Sequence, residues 1–466
     1  MSHMDNDFSS VTAHLWRATS RHHEATDPSS APMVTGPRVV LPSAFDVTGL
    51  ASAAVAVATQ AAADLFADRQ VTSTRAVSVD SRHACAAFKP EAWFTPQGWT
   101  LPPIWDPLSG NYRTVDGWIR LHTNYAAHRA AVEQTLDARD RDGVAAAVAN
   151  QRGIDIESAV VEAGGAAAAM STRSEWLVSQ AGVATATSPA FDITERPMTT
   201  PARWATARPE APFSGLRVLD LTRVLAGPTC TKFLAAYGAD VLRIDPPGFE
   251  EVAALLPETT QGKRTAALDL TAASDRDVFE ELVVQADVIV IGLRADALGG
   301  LGYGATELKA LNPDLIIASL DAYGWVGPWR HRRGFDSLVQ MSCGIAASGT
   351  DAPNPLPVQA LDYGTGWLLA AAITRILTRQ LTESITATIT TSLIATASLL
   401  YEVTELAGER VLAQSPTAKT DLALEPTGTA WGPALRAPFP GRIDSIVAKF
   451  AHDAGPLGRH PATWQH

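Results

Sequence analysis

Gly215-Leu216-Arg217-Val218-Leu219-Asp220-Leu221-Thr222-Arg223-Val224-Leu225-Ala226-Gly227-Pro228 opens the part of the chain whose pattern decides the fold. Val218–Leu221 is a short apolar run that predicts a buried strand, and a polar turn then leads into a helix over Cys230–Tyr237. The alternation continues with strands predicted at Val241–Ile244, Ala266–Leu270, Val288–Ile291 and Leu315–Ser319, and a helix at Ser274–Gln285. Short apolar strands separated by helices, with no hydrophilic strand face, predict an α/β fold built on a Rossmann-like parallel sheet covered on both sides. Ligands of such sheets gather at the carboxyl ends of strands, so the loops starting near Thr222, Asp245, Gly292 and Asp321 are candidate site loops.

Outward from this unit, 466 residues exceed one core and predict several domains. A polar N-terminal arm spans 1–40, and a helix–strand–helix unit spans 41–88. A smaller α+β domain at 89–193 contains a hairpin turn at Val115-Asp116-Gly117 and helices at 126–136, 142–151 and 156–163. Four prolines mark a linker at 194–214, the large domain occupies 215–412, and a tail at 413–466 is expected to pack back on the core. A net charge of −12 argues against nucleic acid as the main partner. The apolar runs are interrupted by Gln60, Asp64 or Arg375, so no membrane span is expected. Cys85, Cys230 and Cys343 are far apart in sequence, which fits a reducing, cytoplasmic setting. His83, His122, His128 and His331 stand alone, without metal-ligand spacing, and no metal is expected.

Two stretches resemble one another. Phe45-Asp46-Val47-Thr48-Gly49 precedes an Ala-rich helical run, and Leu361-Asp362-Tyr363-Gly364-Thr365-Gly366 precedes another. Each leads through a polar turn to an alternating segment, Val77–Val79 and Ile385–Ile389. An Asp ahead of a Gly-containing turn can place a carboxylate in a pocket, with Gly364 and Gly366 clearing space for a substrate. Equally, Asp362 can cap a helix starting at Thr365.

The opening stretch resembles the class III (CaiB/BaiF-type) CoA-transferases. So do Tyr237-Gly238-Ala239-Asp240-Val241, Gly262-Lys263-Arg264, Leu311-Asn312-Pro313, Gly324-Trp325-Val326-Gly327-Pro328, Gly334-Phe335-Asp336 and Leu361-Asp362-Tyr363-Gly364, in the same order. Residues 112–165 resemble the small domain of that family, here ahead of the large one, which implies a rearranged member with a partial internal duplication. The resemblance implies transfer of coenzyme A between an acyl-CoA and a carboxylic acid, with Asp362 as the nucleophile that forms anhydride and thioester intermediates. Asp336 falls where relatives keep a second acid near the thioester; its alternative is an N-cap for Ser337–Ser342. The implied CoA contacts are Val224, Leu225 and Ala226; Leu268, Asp269 and Leu270; Gly292, Leu293 and Arg294; and Phe335, with Arg294, Lys263 and Arg264 for the phosphates. Lys263 and Arg264 read alternatively as a solvated turn. Pro246 and Gly300 replace expected arginines, leaving Arg75, Arg82 and Arg332 as substitute cations. Leu225 replaces a glutamine of the oxalate branch. The resemblance implies CoA as a substrate with no permanently bound cofactor, and a homodimer. Phe335 stands where racemases of this kind carry a His and cannot move a proton, so transferase is favoured over a racemase or isomerase. A non-catalytic CoA-binding subunit is the remaining alternative. Apolar character at Phe335, Met341 and Trp367 suggests an acyl group that is not tiny.

Overall fold

The computed structural model describes residues 8–20, 31–206, 209–294, 296–349, 351–412 and 422–465. Seven strands among them form one sheet: β1 (Asp192–Pro197), β2 (Arg217–Leu221), β3 (Asp240–Asp245), β4 (Arg264–Ala267), β5 (Val288–Ile291), β6 (Ile316–Asp321) and β7 (Ile385–Ser392). Their order is β4-β3-β2-β5-β6-β7-β1, parallel throughout except for the β7–β1 pair. The chain steps outward from β2 to β3 and β4, then crosses back to place β5 on the other side of β2. This reversal opens a crevice between the loops that follow β2 and β5, where open α/β sheets bind ligands.

Successive strand residues point to opposite faces, and both faces are buried. Val218, Val288, Val290, Ile316, Ala318 and Ile389 join one core cluster, while Leu219, Ile289, Ile291 and Ile317 join another. The first face is covered by α1 (Val47–Gln70), α2 (Ala226–Ala236) and α5 (Ala360–Thr382), with α6 (Leu393–Leu412) beside α5. The second is covered by α3 (Ala273–Gln285) and by Trp464 near the C-terminus. α1 is apolar on all sides because it is enclosed on all sides, with Val47 to Ala63 buried without a break. By length and composition it could cross a membrane, contrary to the expectation that no run is long enough, but 94% of the apolar window lies inside the protein.

A smaller three-stranded antiparallel sheet pairs Gly110–Arg113 with Trp118–Leu121, and that strand with Ala167–Ala169. It has its own core of Leu108, Tyr112, Ile119, Val132 and Val160. A further cluster of Ala166, Ala168, Leu338 and Met341 seats it on α4 (Asp336–Ser342).

Several boundaries depart from the sequence reading. The expected loose arm contains a helix, Ser9–Ala18, whose Val11, Leu15 and Trp16 are buried in the main core, although residues 1–7 and 21–30 lie outside the described set. The expected linker begins with a strand: β1 pairs with Ile385–Thr390, and Pro197 is tolerated because β1 is an edge. α2 begins at Ala226, ahead of Cys230, because Pro228 falls in the first turn, where its missing N–H has no intrahelical use. α5 begins at Ala360 and runs through both glycines.

Those glycines serve packing. A Cβ at Gly366 would lie 2.4 Å from the Ala226 carbonyl oxygen at the start of α2, and one at Gly364 would lie 3.0 Å from Thr396 Cγ2. They let α5 approach its neighbours and do not clear space for substrate. Gly366→Ala is therefore expected to destabilise the protein by about 1–3 kcal/mol, the usual cost of overpacking. Chemical denaturation measures this; an unchanged midpoint would contradict the close packing of α5 on α2.

Candidate active site

The crevice between the β2 and β5 loops widens into a cleft of about 510 Å³ lined by Arg223 and Val224, Gly292 to Arg294, Asp321, Phe335 and Asp362. The small domain closes it with Tyr125 and His128. A second cavity of about 90 Å³ lies deeper, lined by His122, Asn124, Leu225, Asp336 and Asp362 among others. Asp362, Phe335, Val224 and Tyr125 border both, so the Asp362 carboxyl stands at the neck between them. Outward, a hollow of about 210 Å³ is lined by Leu268, Asp269, Leu270 and Thr271, and shares Arg223 and Leu293 with the cleft.

Asp362 lies in the first turn of α5 and does not cap it. The cap comes from Asp336, whose Oδ2 accepts the backbone N–H groups of Leu361 at 2.8 Å and Asp362 at 3.0 Å. Its Oδ1 accepts Gln340 Nε2. The expectation that Asp336 caps its own helix fails, because Asp336 is the first residue of α4 and its side chain reaches across to a different helix. Asp336 is 1% exposed and Asp362 7%. Burial, offset by those hydrogen bonds, raises the Asp336 carboxyl to about 6. Burial and then the Asp336 charge raise Asp362 well above the ordinary carboxylate range. The Asp362 carboxyl has no hydrogen-bond donor among the described residues.

Glu251 fixes the neck. Its Oε1 accepts the Tyr125 hydroxyl at 2.7 Å, and its Oε2 accepts the Val224 N–H at 3.0 Å and Arg243 at 3.2 Å. Val224 is held at φ +62°, costly for a β-branched residue. One carboxylate thus ties the small domain to a strained loop of the large one. Phe335 is stacked on His122, with centroids 3.6 Å apart and planes within 2°, and flanked by Tyr125.

Two predicted cations lie elsewhere. Lys263 Nζ pairs with Asp220 Oδ2 at 2.8 Å, both side chains fully buried, so it cannot meet a phosphate. Arg264 is also buried, on Asp240. Neither forms the solvated turn read as the alternative. Arg75 and Arg82 are absent from the cleft lining, and Arg332 lines it but pairs with Glu157 at 2.8 Å. Arg223, Arg294 and Arg333 do line it, and neither Arg294 nor Arg333 has an acidic partner among the described residues. Burial and then Arg294 hold the Arg333 guanidinium below its usual value, as expected for like charges set side by side. Met341 and Trp367 are buried away from the cleft, so they give no measure of the acyl group.

The other Asp differs sharply. Asp46 caps α1 through Gly49 N and is clamped by Arg38 at 2.7 and 2.5 Å, with both side chains 2% exposed. A carboxylate so neutralised is a structural group; Asp362 has no such cation among the described residues.

Residues 213–428 match CoA-transferase family III. The chain is 35% identical over 181 residues to an acetyl-coenzyme A transferase of Hypoxylon pulicicidum, covering 36% of this chain and 30% of that protein. It is 32% identical over 191 residues to a probable fatty acyl-CoA transferase of Mycobacterium tuberculosis, covering 37% and 48% respectively. It is 36% identical over 150 residues to an acetyl-CoA:oxalate CoA-transferase of Acetobacter aceti, covering 30% and 39%. The chain thus spans less than half the length of these curated relatives. A crystal structure of a hypothetical protein from Mycobacterium tuberculosis aligns at 28% identity and TM-score 0.40, over 48% of this chain and 64% of that one. Within the matched segment lie Asp336, Asp362, Phe335 and the loops of the crevice. Tyr125, His122 and His128 come from outside it, and sequence spacing offered no signal for them.

Asp336→Ala removes the acceptor for two N–H groups and Gln340, and is expected to cost about 2 kcal/mol or more. Asp336→Asn, which keeps an acceptor, should cost less than half as much. Asp362 has the opposite sign. Its raised pKa means the folded state favours the proton, so the ionised carboxylate weakens folding as pH rises above about 4. Asp362→Asn should therefore gain thermal stability over the wild type as pH rises from 5 to 8. Thermal melts across that range check both.

Proposed function

We propose that the chain transfers coenzyme A between an acyl-CoA thioester and a carboxylic acid, with Asp362 as the nucleophile. The carrying observation is the unpartnered Asp362 carboxyl at the neck between a long cleft and a small inner cavity. An Asp362 oxygen attacks the thioester carbonyl carbon, and the carbonyl electron pair moves onto its oxygen. Collapse expels the CoA thiolate and leaves a mixed anhydride. The thiolate attacks the aspartyl carbonyl of that anhydride, releasing the first acid and leaving an enzyme thioester. The acceptor carboxylate then attacks the enzyme thioester, and the thiolate returns to the acyl carbon to give the new acyl-CoA and free Asp362. Splitting the exchange into such steps replaces one difficult displacement by several easier ones.

The cleft accommodates this arrangement. CoA lies with its adenosine end toward Leu268–Thr271, its phosphates near Arg223, Arg294 and Arg333, and its thiol at Asp362. Arginine clusters suit phosphate because each guanidinium offers a planar fork of donors. The inner cavity, with room for roughly six water-sized groups, receives the acyl part and favours a short one. In this reading Asp336 is a positioning residue. We read residues 41–88 as a partial copy of the 360–400 unit, a reading supported by the helix–strand–helix order that both follow from an Asp. A homodimer and a reducing compartment belong to the same proposal; the latter is supported by three unpaired, buried cysteines. The loss of a titratable group at Phe335 speaks against racemase chemistry.

Asp362→Asn is expected to lower CoA exchange at least about 10³-fold while CoA binding, read by calorimetry, stays within a few-fold. Because the ionised form attacks and its pKa is raised, the rate should climb with pH through a limb above the ordinary carboxylate range. Asp336→Asn, by removing the neighbouring charge, should move that limb to lower pH. Acetyl-CoA should outperform long-chain donors. Exchange undiminished in Asp362→Asn would refute the assignment.

A further inference from the structure

Phe335 carries no titratable group, yet an imidazole stacks directly on it, supplied by the small domain. His122 follows the strand Trp118–Leu121, and its backbone N–H donates to the Ala166 carbonyl at 2.9 Å, which fixes its place at the edge of that sheet. The ring lies flat on Phe335 and edge-on to Trp105 at 5.8 Å. It lines the same inner cavity as Asp362 and is 4% exposed. Its Nδ1 is sealed from solvent without a partner, which leaves Nε2 for the cavity. A neutral imidazole carries one proton and either ring nitrogen can hold it; with the proton on Nε2 the N–H faces the cavity. Burial, then the nearby His128 and Arg120, keep the ring neutral by holding its pKa well below 6.5.

A neutral imidazole presenting one N–H to the cavity it shares with Asp362, a nucleophile with no hydrogen-bond donor among the described residues, has the makings of an oxyanion donor. We propose that His122 Nε2–H receives the acyl carbonyl oxygen and stabilises the negative charge that develops there as Asp362 attacks. This deepens the CoA-transfer reading and rests on it. His122 neither gains nor loses a proton: the carbonyl electron pair moves onto oxygen, is held by the hydrogen bond, and re-forms the C=O bond as the thiolate leaves. A fixed donor in a dry site acts without the reorganisation that water would need. Stacking on Phe335 provides the rigidity, so the aromatic residue at that position acts by holding the ring that touches the substrate.

The test is infrared difference spectroscopy of the full-length protein with acetyl-CoA labelled with ¹³C at the carbonyl, paired with exchange kinetics. In the wild type the bound thioester carbonyl band should fall to lower wavenumber than in free acetyl-CoA. In His122→Phe, which keeps the stacking, the band should return toward the free value and kcat should drop about 10²–10³-fold with KM changed less than about threefold. His122→Gln, which retains an N–H, should recover part of the shift. A bound band that is unshifted in the wild type, or shifted equally in His122→Phe, overturns this proposal and leaves the CoA-transfer reading standing. Failure of the wild type to bind either acetyl-CoA or CoA overturns that reading as well, and the wild-type measurement needs no variant to fold.

Discussion

Two backbone N–H groups at the start of α5, those of Leu361 and Asp362, have no acceptor within their own helix, and Asp336 supplies one from the start of α4. Most of the site geometry depends on this contact. It lets the helix begin two residues ahead of Asp362, so that Asp362 need not cap anything. It also places a second carboxylate beside it, which with burial raises the Asp362 pKa. A capping Asp is normally spent on its own helix; here the cap is borrowed, and the side chain in the first turn is left over for chemistry.

The surrounding architecture keeps that arrangement in place. The strand-order reversal between β2 and β5 opens the crevice, and the glycines of α5 let it press against α2. The small domain is anchored twice, by apolar packing of its sheet on α4 and by the Glu251 network that joins Tyr125 to Val224. It brings two aromatic groups, Tyr125 and His122, into contact with Phe335. The buried Lys263–Asp220 and Arg243–Asp245 pairs belong to the scaffold beneath this wall. The two Asp-led helices show how context decides the fate of one residue type: Arg38 clamps Asp46, and among the described residues no cation pairs with Asp362.

The sheet was legible because its strands are apolar on both faces and short, a pattern that local periodicity reports directly; Val288–Ile291 has the bounds expected. The loops that start near Thr222 and Gly292 were legible for the same reason, whereas Val224 to Ala226 and Gly292 to Arg294 were singled out only by the family resemblance. What escaped depends on residues distant in sequence. The start of α5 was misplaced because its cap lies 26 residues upstream of Asp362. Lys263 looked like a phosphate ligand because nothing local announces its partner Asp220, 43 residues away. The N-terminal helix Ser9–Ala18 carries Phe8, Val11, Leu15 and Trp16 at helical spacing, a signal confined to ten residues inside a polar stretch and therefore passed over. His122 looked like any lone histidine until the fold laid it on Phe335.

The most direct test of the account is mass spectrometry of the peptide containing Asp362 after brief incubation of the protein with acetyl-CoA and rapid quenching. A covalent CoA thioester on that aspartate, destroyed by hydroxylamine and missing in Asp362→Asn, is the predicted result. An unmodified Asp362 peptide under conditions where CoA exchange is turning over would contradict it.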